Sequence, residues 1–471
     1  MAMTDENLAW MPATEMASLI RQKRLSPVEV MTAVLARIER HNPTVNAFVY
    51  QAPEAAMAAA RAAEAAVASG APLGKLHGVP ITIKDLVRTK DMPMQSGSQI
   101  NKGQQPLEDA PVVQRLKAAG AIVLGKTTTP EFGWKGVSQS PLTGITHNPW
   151  KHGLNAGASS AGAAAAAASG FGPLHQGGDG AGSIRMPAHF CGVFGLKPTY
   201  GRVPYYPVAN GDYSAHLGPI TRSVADAALM LQIMAGPHPL DHTSCEMPPD
   251  DYPGKLAAGI AGKKIAFSPD LGHARVDPEI ASLVQTAVAR FPALGARVEQ
   301  VTPAWAKDGP EIIRVLWSAH VSGLAGRLPE WESRMDPGLV ACVKDGMHVR
   351  MSDYQLMRDR KYAYNAAQNR WFEDWDFLVT PAVSVAAFPA DKLQPAHWPQ
   401  HPWDWIMWAE FSYPFNFSGN PAASIPCGFT ADGLPVGLQI VGRRFDDLGV
   451  LQAAAAFEAA APWADKRPPL D

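Results

Sequence analysis

The chain is poor in cysteine. Its four, Cys191, Cys245, Cys342 and Cys427, are scattered through 471 residues without a CxxC pair. That excludes a disulfide framework and a cysteine zinc knuckle, and it fits a reducing, cytoplasmic setting. Charge of one sign is missing too: 41 Lys and Arg stand against 43 Asp and Glu, a formal net charge of −2 with the signs interspersed. There is no basic face for nucleic acid and no acidic tail, so the expected partner is a small neutral or apolar molecule. Long apolar runs are absent as well. No segment approaches an uncharged, apolar run of the roughly 18 residues of a membrane span. The opening MAMTDENLAWMPATEMASLI places acids where a secretory leader places bases.

What the chain does have is alternation. Residues 13–40 read as two amphipathic helices broken at Ser26-Pro27, with Ser26 as cap, and residues 53–68 as an alanine-rich third. The period then changes. GVPITIKD at 78–85 is a glycine-bounded apolar run that reads as a buried strand. A capped helix, a stop at Gly120 and a strand at 121–125 follow, and KKIAFSP, DPEIASLVQTAVARF and ARVEQVTP repeat the β-α-β order at 263–303. AASIPCGF, LPVGLQIVG and a final helix close the chain. Strands alternating with helices from end to end predict an α/β fold with a buried central sheet in a single domain, 1–471. Within it lie an N-terminal helical region (1–70), a catalytic core (75–235) and a tryptophan-rich insert (300–410).

One stretch, NAGASSAGAAAAAASGFGPLHQGGDGAGSIRMP at 155–187, has the composition of a linker. Its first half is a helix signal instead: serines as caps, alanine as the best helix former, glycine as the stop. The second half, with its glycines and Pro187, predicts a glycine-rich turn presenting Ser183. A dinucleotide loop needs a strand before its glycines and a helix after them, and Pro187 argues against that helix. Neither Ser159 nor Ser183 lies in the G-x-S-x-G of a nucleophile elbow. HPLDH at 238–242 spaces two histidines as metal ligands are spaced on a helix, but Pro237 and Pro239 make it a surface turn. No metal or other cofactor is expected.

A serine paired with a lysine remains. A lysine acts as a base only where desolvation or neighbouring cations lower its pKa. Lys84 closes the apolar strand VPITI and would project into the interior. It reads equally as a buried ion pair with Asp85 or as a snorkelling side chain.

GVPITIKDL, GLNAGASSAGAAAAAASG, GGDGAGSIRMPAHFCGVFGLKPTYGRVP and NPAASIPCGFTADGLPVGLQIVG together resemble the amidase signature family of serine hydrolases, from about residue 12 to the C-terminus and most weakly over 300–410. The resemblance implies an α/β/α fold, a mixed central sheet sandwiched by helices, and a Ser-cisSer-Lys triad. Ser183 would be the nucleophile, Ser159, after a cis bond, the proton relay, and Lys84 the base. Gly180, Ala181, Gly182 and Ser183 would supply oxyanion-hole N–H groups, Ser160 would support the lysine, and Asp179 and Arg185 would brace the loop. The family commonly has glycine where this chain has Ala158 and Ala181, so strain is expected if Ala181 takes a positive φ.

The implied activity is hydrolysis of amide-type C–N bonds. The alternatives are a catalytic component of a glutamine-dependent amidotransferase assembly and a catalytically silent member of the fold. Nine of the 13 tryptophans fall between Trp305 and Trp408. On a loop-rich insert such rings read as a pocket wall or partner surface, and equally as ordinary core. Met94, Tyr206, Trp317 and Trp405 are the candidate pocket residues. They point to a bulky apolar or aromatic amide, anilide or urethane-type carbamate. The remaining partner to consider is a second copy of the chain, in a homodimer.

Overall fold

A computed structural model describes residues 5–209 and 211–470. An eleven-stranded mixed sheet runs through the molecule. In spatial order its first six strands are Phe48–Gln51, Ile122–Thr127, Pro80–Lys84, Leu174–Asp179, His216–Thr221 and Phe194–Lys197. Ala422–Phe429, Pro435–Gly442, Phe377–Pro381, Lys264–Phe267 and Arg297–Gln300 complete it. Two parallel blocks, one around Pro80–Lys84 and one around Lys264–Phe267, flank an antiparallel centre. No described helix is long and apolar enough to cross a membrane.

Local chemistry explains the elements near the site. Ser26 caps the helix Pro27–Val45 in a capping box with Glu29, and Pro27 occupies its first turn. The strand Pro80–Lys84 is buried at all five positions, which is why its sequence shows no polar alternation. The alanine run forms the helix Ala161–Ala168, buried at every residue. A helix apolar all round belongs inside, and this one needs small side chains because its neighbours press on the backbone. A Cβ on Gly162 would lie 2.2 Å from the Ala47 carbonyl oxygen.

Two segments depart from the sequence expectation. LHQGGD is not a turn but the strand Leu174–Asp179, paired on both edges. Its glycines leave room for neighbours: a Cβ on Gly177 would meet Ile184 and Ile220 at 3.0 Å. Pro187 does not prevent a helix over Arg185–Cys191, because it falls in the first turn, where no N–H partner is required. The tryptophan-rich stretch also contributes a central strand, Phe377–Pro381.

Candidate active site

Lys84 ends its strand beside the parallel strand Leu174–Asp179, with Ile83 opposite Gln176. The loops after these strands therefore leave from one edge of the sheet, where α/β folds place ligands. The second loop carries Ser183. Ser159 and Ser160 precede the alanine helix, after a cis Ala158–Ser159 peptide.

The structure brings these residues together. Lys84 Nζ lies 2.8 Å from Ser159 Oγ, 2.9 Å from Ser160 Oγ and 3.1 Å from the Gly178 carbonyl oxygen. Ser160 stands at the N-cap position, yet its hydroxyl does not cap. It accepts from the Gly178 N–H at 3.1 Å and donates to the Gly178 carbonyl at 3.0 Å. Its own N–H donates to the Ser183 carbonyl at 3.0 Å, tying the serine pair to the Ser183 loop. Lys84 makes no ion pair with Asp85, which instead binds the backbone N–H groups of Gln95 and Gly97. Burial lowers the pKa of the Lys84 ammonium to about 7, against the opposing pull of the Asp179 charge.

Asp179 and Arg185 form a buried bidentate pair, with Nε and Nη2 each 3.0 Å from a carboxylate oxygen. Burial alone would raise the Asp179 carboxyl, but Arg185 and Asn416 hold it well below the carboxylate range. Arg185 also donates to Gln439 Oε1 and the Ser412 carbonyl at 2.8 Å, and to Asn416 Oδ1 at 2.6 Å. Arg185→Met strands a buried carboxylate, and is expected to cost about 3–5 kcal/mol of stability. Urea unfolding checks this, and an unchanged midpoint would contradict it.

The Ser183 loop also corrects two expectations. The Gly182 N–H donates to Asp179 Oδ1 at 2.7 Å. It is therefore spent on bracing the loop and is not free for an oxyanion. The N–H groups of Gly180, Ala181 and Ser183 make no hydrogen bond among the described residues. The expected strain at Ala181 is absent: the left-handed positions here are Gly157, at φ 75°, and Gly182, at φ 115°. At Gly182 a Cβ would lie 2.3 Å from Ser412 Oγ, so glycine is required there and not one residue earlier.

Lys84, Ser159, Asp179, Gly180 and Ser183 open onto a cavity of about 370 Å³. Its walls include Leu86, Phe132, Leu316, Trp317, Leu324 and Phe417. Of the candidate pocket residues, only Trp317 lines it. Trp405 is buried behind, its ring edge-on to Trp317 at 5.6 Å and its indole N–H on the Trp134 carbonyl. Tyr205 lines the cavity, while its neighbour Tyr206 turns away to Glu108, 2.7 Å from its hydroxyl. Met94 lies outside the cavity wall, in a loop closed by its N–H on the Gln104 carbonyl. Most of the insert's tryptophans pack as core.

Sequence reasoning missed Asn416, Ser412 and Gln439. A glutamine inside the apolar run PVGLQIVG was a usable signal, because a buried amide needs partners. Asn416 and Ser412 offered none.

The family model described as Amidase matches residues 29–451. The chain is 41% identical to an acylamidase of Rhodococcus erythropolis, an alignment covering 99% of this chain and 98% of that one. It is 35% identical to a glutamyl-tRNA(Gln) amidotransferase subunit from Moorella thermoacetica, over 98% and 99%. A crystal structure of a bacterial aryl acylamidase superposes with a TM-score of 0.90 at 30% identity, over 97% of each chain.

Proposed function

The chain belongs to the amidase signature family and is an amidase, a hydrolase of amide C–N bonds, and from that premise we propose that it cleaves amides, anilides or carbamates bearing a bulky apolar or aromatic group. Ser183 is the nucleophile, Ser159 the relay and Lys84 the base. The observation that carries this reading is a fully buried lysine amine on Ser159, at the floor of an apolar cavity that also exposes Ser183.

The proton inventory supports the assignment. A neutral amine has two hydrogens and one lone pair. Ser160 donates its hydrogen to the Gly178 carbonyl, so toward Lys84 it can only accept. The Gly178 carbonyl also accepts. With both amine hydrogens so used, the lone pair faces the Ser159 hydroxyl. Lys84 then takes the Ser159 proton as Ser159 takes that of Ser183, and Ser183 attacks the carbonyl. The oxyanion meets the unpartnered N–H groups of Gly180, Ala181 and Ser183. The relay run backwards protonates the leaving nitrogen, without which an amine anion would have to depart. Water repeats the cycle on the acyl-enzyme.

The test is a panel of aromatic anilides, aryl carbamates, short aliphatic amides and glutamine, with the purified chain alone and Ser183→Ala as blank. An aromatic anilide or carbamate is expected to exceed acetamide in kcat/KM by about tenfold or more, the scale of apolar-pocket discrimination. Preference for glutamine, or activity only with added partner proteins, would instead favour the amidotransferase reading, which the likeness to the Moorella protein keeps in the test.

A further inference from the structure

A second cavity, of about 490 Å³, lies against the catalytic one, and Lys361 and Phe417 line both. Its other walls include Tyr200, Tyr213, Tyr362 and Phe445. Residues 211–215 run along the boundary: Asp212 faces the catalytic cavity and Tyr213 the second one.

Asp212 is held by three side chains of the helix Met351–Trp371. Lys361 Nζ donates to its carboxylate at 2.5 Å and to its carbonyl at 2.6 Å. Arg358 Nη2 and the Tyr362 hydroxyl reach the other carboxylate oxygen at 3.0 and 3.2 Å. Lys361 is only 2% exposed, so this pair is part of the wall and not a surface contact. The backbone beneath it is strained: Asp212 and Tyr213 are successive non-glycine residues at φ 48° and 63°. L residues leave that region unless their surroundings hold them there. Here the Asp212 carboxylate holds the turn to the helix, alongside the Lys361 bond to the Asp212 carbonyl, the Ser214–Gly211 turn bond and the Tyr213–Tyr200 ring contact.

We infer that Asp212 is a specificity-determining residue of this amidase: by latching residues 211–215 to the helix it keeps the second cavity walled off and so limits the length of amide the enzyme accepts. This rests on the function proposed above. With the carboxylate gone, the turn relaxes, the wall opens, and an aryl or alkyl group too long for the catalytic cavity extends among the tyrosines beyond it.

Two variants test it, Asp212→Ala and the milder Arg358→Ala, which loosens the same carboxylate from its more exposed side. Each is assayed on anilides with acetyl, butyryl, octanoyl and dodecanoyl groups, and on acetamides of lengthening amines. In Asp212→Ala the kcat/KM ratio of the longest to the shortest substrate in one of the two series is expected to rise about tenfold, the scale of one or two methylenes in an apolar pocket. Arg358→Ala should move it in the same direction by less, and decides the matter if Asp212→Ala does not fold. A merely structural role would lower both ends of each series evenly. Ratios unchanged in both series overturn the inference. The Ser183→Ala blank separates the failures: turnover surviving there removes the proposed mechanism, whereas an inactive blank with unchanged ratios removes only the role of Asp212.

Discussion

Ser183→Ala is expected to fold like the parent and to lower kcat on the best anilide by a factor on the order of 10⁴ to 10⁶, the range seen when the nucleophile of a serine hydrolase is removed. The substitution deletes one hydroxyl. The backbone carbonyl of residue 183 still accepts from the Ser160 N–H, and the Asp179–Arg185 brace touches the loop through Gly182 and Ile184, not through the lost oxygen. Thermal unfolding should therefore barely move while turnover collapses. What remains would come from substrate binding and the free N–H groups. Mass spectrometry gives a second readout: the parent, quenched during turnover of a slow amide, carries one acyl group on the Ser183 peptide, and the variant carries none. Turnover at more than a few per cent of the parent rate would sink the mechanism.

Lys84→Met has the second largest expected effect and a distinctive pH signature. Burial brings the parent lysine to about 7, so its neutral, basic form is lost as pH falls below neutrality. Parent kcat/KM should climb through that region and level off above it. In Lys84→Met that limb should vanish, and the rate at neutral pH should fall on the order of 10² to 10⁴, what a general base contributes. The remaining activity should then rise with pH, because hydroxide partly substitutes for the base. Stability should move the other way. The unfolded chain holds this proton up to its ordinary value of 10.5, whereas the folded chain releases it near 7. In that window the unfolded state binds more protons, so the buried lysine destabilises the parent, less so as pH rises toward 10.5. Lys84→Met should accordingly melt higher than the parent at neutral pH, with the difference shrinking under alkali. A retained limb near pH 7, or a melting difference that grows with alkali, would argue against a neutral Lys84 base.

The mix of legible and illegible features has one physical origin. Periodicity and capping report on the neighbours a residue meets along the chain. The helices Pro27–Val45 and Pro53–Ser69 and the parallel pair Lys264–Phe267 and Arg297–Gln300 therefore follow from local signals. The strand Leu174–Asp179 does not, since HQGGD is a poor strand former and is extended only because strands pair on both of its edges. The same division runs through the site. Motif resemblance singled out Lys84, Ser159, Ser160, Asp179 and Ser183, residues the fold then brings together, because each sits in a short local pattern. Gly182 was assigned to the wrong partner, because only the folded loop shows that Asp179 takes its N–H.

By itself, then, the sequence determined the alternating α/β layers, the family, and which lysine and serines meet. Tertiary structure alone decided the rest. Asn416 and Gln439 converge on Arg185 from 231 and 254 residues away in the chain. Trp317 lines the cavity while Trp405 only backs it. Asp212 closes a wall with a helix that begins at Met351. Burial, hydrogen-bond partners and cavity shape depend on which distant segments pack together, and short-range pattern carries no record of that.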